Sequence, residues 1–429
     1  MRANLTKLTV FSLALSALIF VPSSGAFAAT TYSFTNASAT GMNGPTLVQV
    51  NSAYSASTLS GKVAINTQGV QEWAPPTSGL YQIDLAGAAG GTGNGGAGGR
   101  GAFLSIKVSL NAGETISVVV GQKGSDYNNL AGFPGGSGGG GTFIYKKFDN
   151  SYIAVAGGGG GGASTVTNLL TSQTTANGKY DTTTGSTVAI MGSYYSPGGV
   201  NGSGGGKSTR NILHGAPGAG VNSDGTTVNG GQGKSRINGW LGGNASTCSY
   251  PVVGGFGGGG GAGCESTTYG QYGWAGGGGG YSGGGAGGNG GQSDGQYGGG
   301  GGSYYTGTFL SGASGNNSGH GYVTITSTEL IATTSSVSIT GNPSTSQFNK
   351  PLSISAAVSN AGKVTFTENG RKIPGCIGRP ATTSATCNWK PKIRGTVRVV
   401  ASLIPTDSGY LSSISAPVSI TIVARTTPR

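Results

Sequence analysis

The stretch YIAVAGGGGGG, residues 152–162, contains the two patterns that decide this fold. Its first five residues are aromatic, β-branched or small, as in a β-strand, and its last six are glycines with no side chain to pack. The same alternation recurs along the chain, with further glycine runs at residues 138–141, 257–261, 276–280 and 298–302. Only 8% of the residues are charged, which is too few to keep a chain solvated and unfolded, so we expect the glycines to be ordered.

Short strand-like segments separated by Gly, Pro and Asn turns predict an all-β sandwich or jelly roll for the first part of the chain. The predicted strands are residues 32–34, 46–50, 70–73, 80–85, 102–110, 115–120, 142–148 and 152–156. Residues 320–326 return to the strand pattern. We therefore expect a sandwich formed by residues 31–156 and 303–327, interrupted by a glycine-rich insertion at residues 157–302.

A run of six glycines favours neither an α-helix nor a β-strand, because glycine loses most conformational entropy on ordering. In polyproline-II geometry, with three residues per turn, every backbone amide and carbonyl points outward. Neighbouring segments without side chains can then approach closely and satisfy these groups laterally. We therefore expect the insertion to be a packed bundle of polyglycine-II helices. Collagen is excluded, because glycine does not recur strictly at every third position.

The first 29 residues have the features of an export signal peptide. Arg2 and Lys7 form a short positive region before an apolar segment at residues 8–21, and Ala26-Phe27-Ala28 matches a cleavage site. The apolar segment is shorter than the roughly 20 residues that a membrane span needs. We find no longer apolar segment, lipid-accepting cysteine in the signal or sorting motif. We expect the protein to be secreted and extracellular, either wall-associated or freely secreted, without a covalent anchor or a membrane span.

The formal charge of +12 is distributed unevenly and indicates a domain boundary near residue 329. Residues 30–329 contain 11 Lys and Arg against 10 Asp and Glu, whereas residues 330–429 contain 11 against 2. The basic segment also has alternating apolar residues, the hairpin signal Asn369-Gly370 and a Cys387/Trp389 pair. These features predict an immunoglobulin-like β-sandwich over residues 330–429.

Four cysteines in an exported chain suggest two disulfides. The domain boundary favours local pairs, Cys248 with Cys264 and Cys376 with Cys387, with free buried thiols as the alternative. Metal binding is disfavoured, because there is no C-x₂-C spacing and His214 and His320 are isolated.

Several motifs in chain order resemble a known domain. They include Gly79-Leu80-Tyr81-Gln82-Ile83, Val118-Val119-Val120-Gly121-Gln122, Ile153-Ala154-Val155-Ala156-Gly157, Gly254-Gly255-Phe256-Gly257 and Gly319-His320-Gly321-Tyr322-Val323. Together they resemble the extracellular glycine-rich domain of the anaplastic lymphoma kinase and leukocyte tyrosine kinase receptors, which also occurs in bacterial exported proteins. The resemblance covers about residues 31–327 and implies a tumour-necrosis-factor-like sandwich with a polyglycine insertion. It does not imply kinase activity, because no kinase domain is present.

The basic segment resembles a second family. Gly362-Lys363-Val364-Thr365-Phe366, Ile373-Pro374-Gly375-Cys376 and Pro405-Thr406-Asp407-Ser408-Gly409-Tyr410 are similar to bacterial Ig-like modules of surface proteins. Such modules occur as spacers and as binding modules.

Catalytic motifs do not rise above chance. Gly204-Gly205-Gly206-Lys207-Ser208-Thr209 has Asn201 where a phosphate loop requires glycine. Two G-x-S-x-G matches are expected in so glycine-rich a chain and have no Asp/His partner pattern. We therefore predict no enzyme activity, no cofactor and no metal site.

The candidate binding residues are basic residues of the C-terminal segment: Arg371, Lys372, Lys390, Lys392, Arg394 and Arg398, with Arg379 on the same predicted face. They could attract an anionic cell-surface polymer or simply form a solvated face. Nucleic acid is disfavoured, because Trp389 is the only aromatic nearby. Aromatics of the insertion and its end could serve packing or recognition: Tyr269, Tyr272, Trp274, Tyr281, Tyr297, Tyr304 and Tyr305.

The sequence therefore predicts a non-catalytic exported protein of cell-surface structure or adhesion, which binds a surface polymer or another surface protein. A diffusible ligand-like signalling protein and a secreted hydrolase remain the alternatives. The oligomeric state is left open.

Overall fold

The computed structural model describes residues 29–77, 79–111, 113–127, 135–163, 176–190, 193–209, 214–228, 231–244, 252–264, 273–288, 296–328, 333–334, 337–340, 344–406 and 410–424. The predicted signal peptide lies outside these residues, apart from its final position. Cys248, Tyr269 and Tyr272 also lie outside them, so the predicted Cys248–Cys264 pair stays a prediction.

Two five-stranded antiparallel sheets form the N-terminal sandwich. The strands before the long glycine-rich segment are β1 (Thr31–Phe34), β2 (Val70–Trp73), β3 (Gly79–Ala86), β4 (Gly101–Leu110), β5 (Ile116–Val119), β6 (Thr142–Lys146) and β7 (Tyr152–Ala156). Short elements follow: β8 (Val188–Ala189), β9 (Tyr195–Ser196), a 3₁₀ turn (Arg236–Asn238), β10 (Gly263–Cys264) and β11 (Gly273–Trp274). The chain then returns with β12 (Tyr304–Tyr305), β13 (Thr308–Asn317) and β14 (Tyr322–Ser327).

The strand orders are β1-β14-β3-β4-β13 in the first sheet and β12-β7-β6-β5-β2 in the second. The segment after the glycine-rich region thus supplies strands to both sheets. The all-β sandwich is confirmed.

The first sheet shows the alternation of a half-buried strand. In β3, Tyr81, Ile83 and Leu85 are buried, while Gln82 and Asp84 on the opposite face are only partly buried. The inward residues pack against Val118 and Ile144 of the second sheet in one apolar core. Outward polar residues therefore mark the open face of this sheet.

The second sheet is covered on both faces, and its strands are almost continuously buried. Its inner face joins the sandwich core, whereas Phe143 and Tyr145 on its outer face pack with Trp240 and Phe256 of the insertion. The ring centroids of Phe143 and Trp240 are 3.9 Å apart. The insertion thus acts as a third layer over the sandwich.

One predicted strand is wrong. Residues 46–50 belong to an α-helix, α1 (Leu47–Ala53), which begins with a capping box. The backbone N–H of Gln49 donates to the Thr46 hydroxyl, and the Thr46 N–H donates to the Gln49 side chain at 2.9 Å. Val50 anchors the helix in the core. The alternating apolar residues of this segment concealed the capping signature.

The glycine runs are ordered and buried, and they are held by lateral backbone hydrogen bonds. In the run at residues 157–162, successive amides donate to different neighbouring segments, and two of these segments recur after three residues. Gly158 and Gly161 donate to Gly279 and Gly276, and Gly159 and Gly162 donate to Ala88 and Gly91, at 2.7–2.9 Å. This three-residue repeat is the one that polyproline-II geometry requires.

The bundle extends beyond the predicted insertion. We call the segments 86–99, 135–141, 157–163, 215–220, 254–262, 275–288 and 296–303 the glycine lattice. The amide of Gly139 donates to Gly159 at 2.8 Å, and the amide of Ala88 donates to Gly140 at 3.0 Å. The lattice therefore begins in the loops that leave the sandwich sheets.

Glycine is required in the lattice because neighbouring segments contact each other through their backbones. A Cβ built on Gly259 or Gly278 would lie closer than 3.0 Å to backbone atoms of Gly138 or Gly158. Real Cβ atoms essentially never approach so closely. The absence of side chains is what lets neighbouring amides and carbonyls meet.

The C-terminal part forms a second sandwich. Its elements are β15 (Thr333–Thr334), β16 (Val337–Thr340), β17 (Thr345–Gln347), β18 (Leu352–Val358), β19 (Gly362–Glu368), β20 (Arg371–Lys372), β21 (Arg379–Ala381), β22 (Ser384–Trp389), β23 (Gly395–Pro405), β24 (Tyr410–Leu411), β25 (Ser413–Ile414) and β26 (Val418–Val423). One sheet has the order β16-β18-β22 and the other β17-β26-β23-β19-β20, with β21 beside β19 and β25 beside β23. We call strands β16–β26 the C-terminal sandwich.

A conventional apolar core holds this sandwich together. Phe366, Val399 and Leu403 of one sheet are fully buried against Ile354 and Trp389 of the other. The predicted Cys376–Cys387 disulfide is confirmed, with its Cα atoms 5.5 Å apart.

Candidate binding surface on the C-terminal sandwich

The predicted hairpin turn places two basic residues at one end of β19. Asn369 and Gly370 have φ angles of 47° and 81°, which a tight type I′ hairpin turn requires at both central positions. Arg371 pairs with Glu368 and Lys372 pairs with Thr367 across the hairpin. Both basic side chains are exposed.

Arg398 lies beside the same turn. The Asn369 N–H donates to the Arg398 carbonyl at 2.8 Å, and the Arg398 N–H donates to Asn369 Oδ1 at 2.9 Å. The side-chain amide of Asn369 thus fixes β23 against the turn. This pairing places the backbone of Arg398 beside the turn that precedes Arg371 and Lys372, and the Arg398 side chain is exposed.

The loop between β22 and β23 carries the other three predicted residues. Lys392 Nζ donates to Asn349 Oδ1 at 2.6 Å, and the guanidinium of Arg394 lies 5.0 Å from the centroid of the Phe348 ring. The carbonyl of buried Pro391 accepts from the Asn349 N–H at 2.9 Å. These contacts hold the loop against the turn that precedes β18, with Lys390 exposed at its start.

A partly buried hydrogen bond brings the two basic groups to the same end of the sandwich. Trp389 Nε1, at the end of β22, donates to Glu368 Oε2, at the end of β19, at 3.0 Å. Lys390 directly follows Trp389, and the Asn369 turn directly follows Glu368. All six predicted residues therefore lie at one end, which we call the basic end.

Sequence reasoning missed one member and misplaced another. Lys350 is exposed in the turn that contacts Lys392 and belongs to the basic end. Nothing in the sequence around Phe348 and Asn349 groups Lys350 with the other basic residues. Only the loop contacts place it with them. Arg379 pairs with Val364, toward the opposite end of β19, so it does not join the group.

The charges of the basic end are free to act on a partner. Glu368 is the acidic residue described at this end, and the Trp389 indole that donates to its Oε2 is neutral, so one negative charge stands against seven positive charges. Over the described residues, the ion pairs lie in the N-terminal part of the chain, between Glu72 and Lys234. Because the basic side chains are exposed, their attraction is screened beyond roughly 8 Å at physiological ionic strength.

The aromatics of the insertion fall into two groups. Trp274 and Tyr297 are buried and serve packing. Tyr281 and Tyr304 are half-buried and stacked, and Tyr305 is exposed. Within the described segments, no group of three metal-ligating side chains was found, and no helix is long and apolar enough to cross a bilayer.

The geometry defines a chain of two β-sandwiches, one of which carries a glycine lattice. No family model matches it. Over 108 residues the chain is 40% identical to the leukocyte tyrosine kinase receptor of Mus musculus, a match that covers 24% of the chain and 12% of the receptor. The chain thus spans about an eighth of the length of this relative. The similarity to this receptor is confirmed over that part, while the bacterial relatives and the Ig-like family stay predictions.

Proposed function

We propose that this is a non-catalytic exported protein of the cell surface, which attaches to an anionic surface polymer through the basic end. The observation that carries the proposal is the convergence of seven exposed basic residues, from one hairpin, two loops and strand β23, onto one end of a sandwich. A face that only maintained solubility would not need such convergence. The partial similarity to a receptor supports a binding role rather than catalysis.

The geometry favours a flexible polyanion over a compact ligand. The basic side chains are exposed on the loops and strand ends of the basic end. Exposed charges of one sign attract a polymer along its length and need no shape complementarity. A phosphate-bearing wall polymer has this character.

The test is cosedimentation of the full chain, without its signal segment, with purified bacterial cell walls over a salt series. We expect binding to fall by about one to two decades between about 0.05 and about 0.5 M salt, because screening shortens the range of each charge. Walls stripped of their phosphate polymer should bind much less.

A matched pair of variants locates the contact. Changing Lys390 and Lys392 to glutamine removes two charges from the basic end, whereas changing Lys363 and Arg379 to glutamine removes two exposed charges from the opposite end. We expect only the first pair to weaken binding. Salt-independent binding, equal loss in both variants, or no binding at low salt would contradict the proposal.

A further inference from the structure

A groove of about 520 Å³ opens on the N-terminal sandwich, far in sequence from the basic end. It lies where β4, the β6–β7 hairpin and β12 meet the insertion. Its volume falls within the range of small-molecule sites, roughly 300–1,000 Å³. The groove has walls from both the sandwich and the insertion, so it exists only when the lattice is folded.

An aromatic pair forms one wall. The rings of Tyr281 and Tyr304 are stacked, with centroids 4.7 Å apart and planes 18° apart, and both are half-buried. Their backbones are fixed from two sides. The Tyr281 N–H donates to Gly302 of the lattice at 2.8 Å, and Tyr304 pairs with Val155 of β7. The wall is therefore preorganised.

Hydroxyl groups form the rim. Ser109 and Ser151 are exposed, and Thr306 is half-buried. The Ser151 hydroxyl donates to Asp149 at 2.7 Å, and the Thr306 hydroxyl donates to the Ile153 carbonyl at 3.2 Å. Each of these oxygens keeps lone pairs that can accept a hydrogen bond from a ligand.

The lining has no unpaired charge. Lys146 is its charged residue, and its ammonium group lies 3.0 Å from the Glu114 carboxylate. Tyr152 also lines the groove, and the Arg236 side chain lies close to its buried hydroxyl. Burial raises the pKa of Tyr152 to about 12, so this hydroxyl is neutral and keeps its proton at physiological pH. The groove therefore suits a neutral ligand with several hydroxyl groups.

We propose that this groove binds a neutral hexopyranose unit of a polysaccharide. One face of a pyranose ring presents C–H groups, which pack on an aromatic surface such as Tyr281 and Tyr304, while its edge presents hydroxyls to a polar rim. Flat aromatic side chains combined with a few placed hydroxyls give orientation as well as area. The ligand differs in charge from the polymer proposed for the basic end, and the two sites are independent.

The experiment titrates the full chain, without its signal segment, with four neutral tetrasaccharides built from glucose, mannose, galactose or N-acetylglucosamine, and follows heat by calorimetry. At least one should show saturable binding. Tyr304→Ala should weaken that binding by about tenfold, the size of one lost aromatic contact. Tyr195→Ala, which removes an exposed tyrosine outside the groove, should leave it unchanged.

A second variant guards against loss of folding. Ser109 is exposed at the groove, so Ser109→Trp fills the space without removing a core contact. It should abolish sugar binding while the melting temperature stays near that of the parent chain. Failure of all four sugars to bind, or binding unaffected by both groove variants, would overturn the proposal. Changing Lys390 and Lys392 to glutamine should leave sugar binding intact, which separates this result from the wall assay.

Discussion

The glycine lattice and the C-terminal sandwich reach an ordered state by opposite means. The sandwich buries large apolar residues, such as Phe366 and Trp389, and adds a disulfide. The lattice has almost no side chains, and its amides and carbonyls pair laterally in place of an apolar core. The stability of the C-terminal sandwich depends on the space that its side chains fill. The stability of the glycine lattice depends on the absence of side chains. The two regions should therefore respond in opposite ways to added and removed atoms.

The largest effect is expected from adding a single methyl group to the lattice. Gly278→Ala places a Cβ closer than 3.0 Å to the backbone of Gly158, and backbone cannot move aside as a side chain can. We expect a loss of about 3 kcal/mol or more, as in severe overpacking. Calorimetry should show the transition of the glycine-rich part shifted or lost.

The control is the same substitution at Gly319. A Cβ there meets nothing nearer than Asn317 Oδ1, at 3.9 Å, and its φ angle is not in the left-handed region. Gly319→Ala should melt close to the parent chain. Equal melting temperatures for the two variants would show that the glycine runs are not closely packed.

Removing the disulfide should have the next largest effect, and it should be confined to the other region. Changing Cys376 and Cys387 to serine opens a loop with a sequence separation of 11 residues. The entropy of the unfolded chain then rises, which lowers stability by about 2–3 kcal/mol. A calorimetric scan should show one transition moving and the other staying in place. A parallel shift of both transitions would mean that the regions unfold as one unit.

Alkaline pH should give a smaller loss, and it should act on the glycine-rich part. Burial raises the pKa of Tyr152 to about 12 and raises that of Tyr145, whereas Tyr410 is the single tyrosine of the last hundred residues. Between pH 10 and 12 the unfolded state loses protons that the folded state retains, so the contribution of these tyrosines to stability is constant below about pH 10 and falls above it. The slope is at most about 1.4 kcal/mol per pH unit for each such tyrosine.

Urea unfolding at a series of pH values measures this slope. Tyr152→Phe removes one titrating group and should flatten the curve between pH 10 and 12. An unchanged slope in that variant would show that Tyr152 titrates alike in the folded and unfolded states.

The sequence predicts the fold best where pattern and packing agree. Continuous apolar composition identifies residues 152–156 as a strand that is buried on both faces. Alternation identifies residues 80–85 as a strand with one apolar face. It fails at Thr46, whose capping bond with Gln49 outweighs the apolar spacing of a short segment. It also misses β13, whose Ser-, Gly- and Asn-rich sequence becomes a strand only because β4 offers a partner edge.

The candidate sites are predictable to different degrees. Net charge locates the basic residues, but the Trp389–Glu368 bond across the sandwich decides which of them converge, and no local pattern encodes it. Tyr281 and Tyr304 are visible in the sequence as aromatics of the insertion and its end. Their stacking requires the 22 residues between them to bring the chain back to the same place, which only the lattice contacts determine.

The three-residue repeat of the lattice constrains how its length can change during evolution. Inserting or deleting one residue in the run at 157–162 would rotate every later amide by a third of a turn and aim it at the wrong neighbour. A change of three residues restores every direction and only shifts the run along its axis. Glycine runs in homologous chains should therefore differ in length by multiples of three, a rule that acts on the protein much as a reading frame acts on its gene.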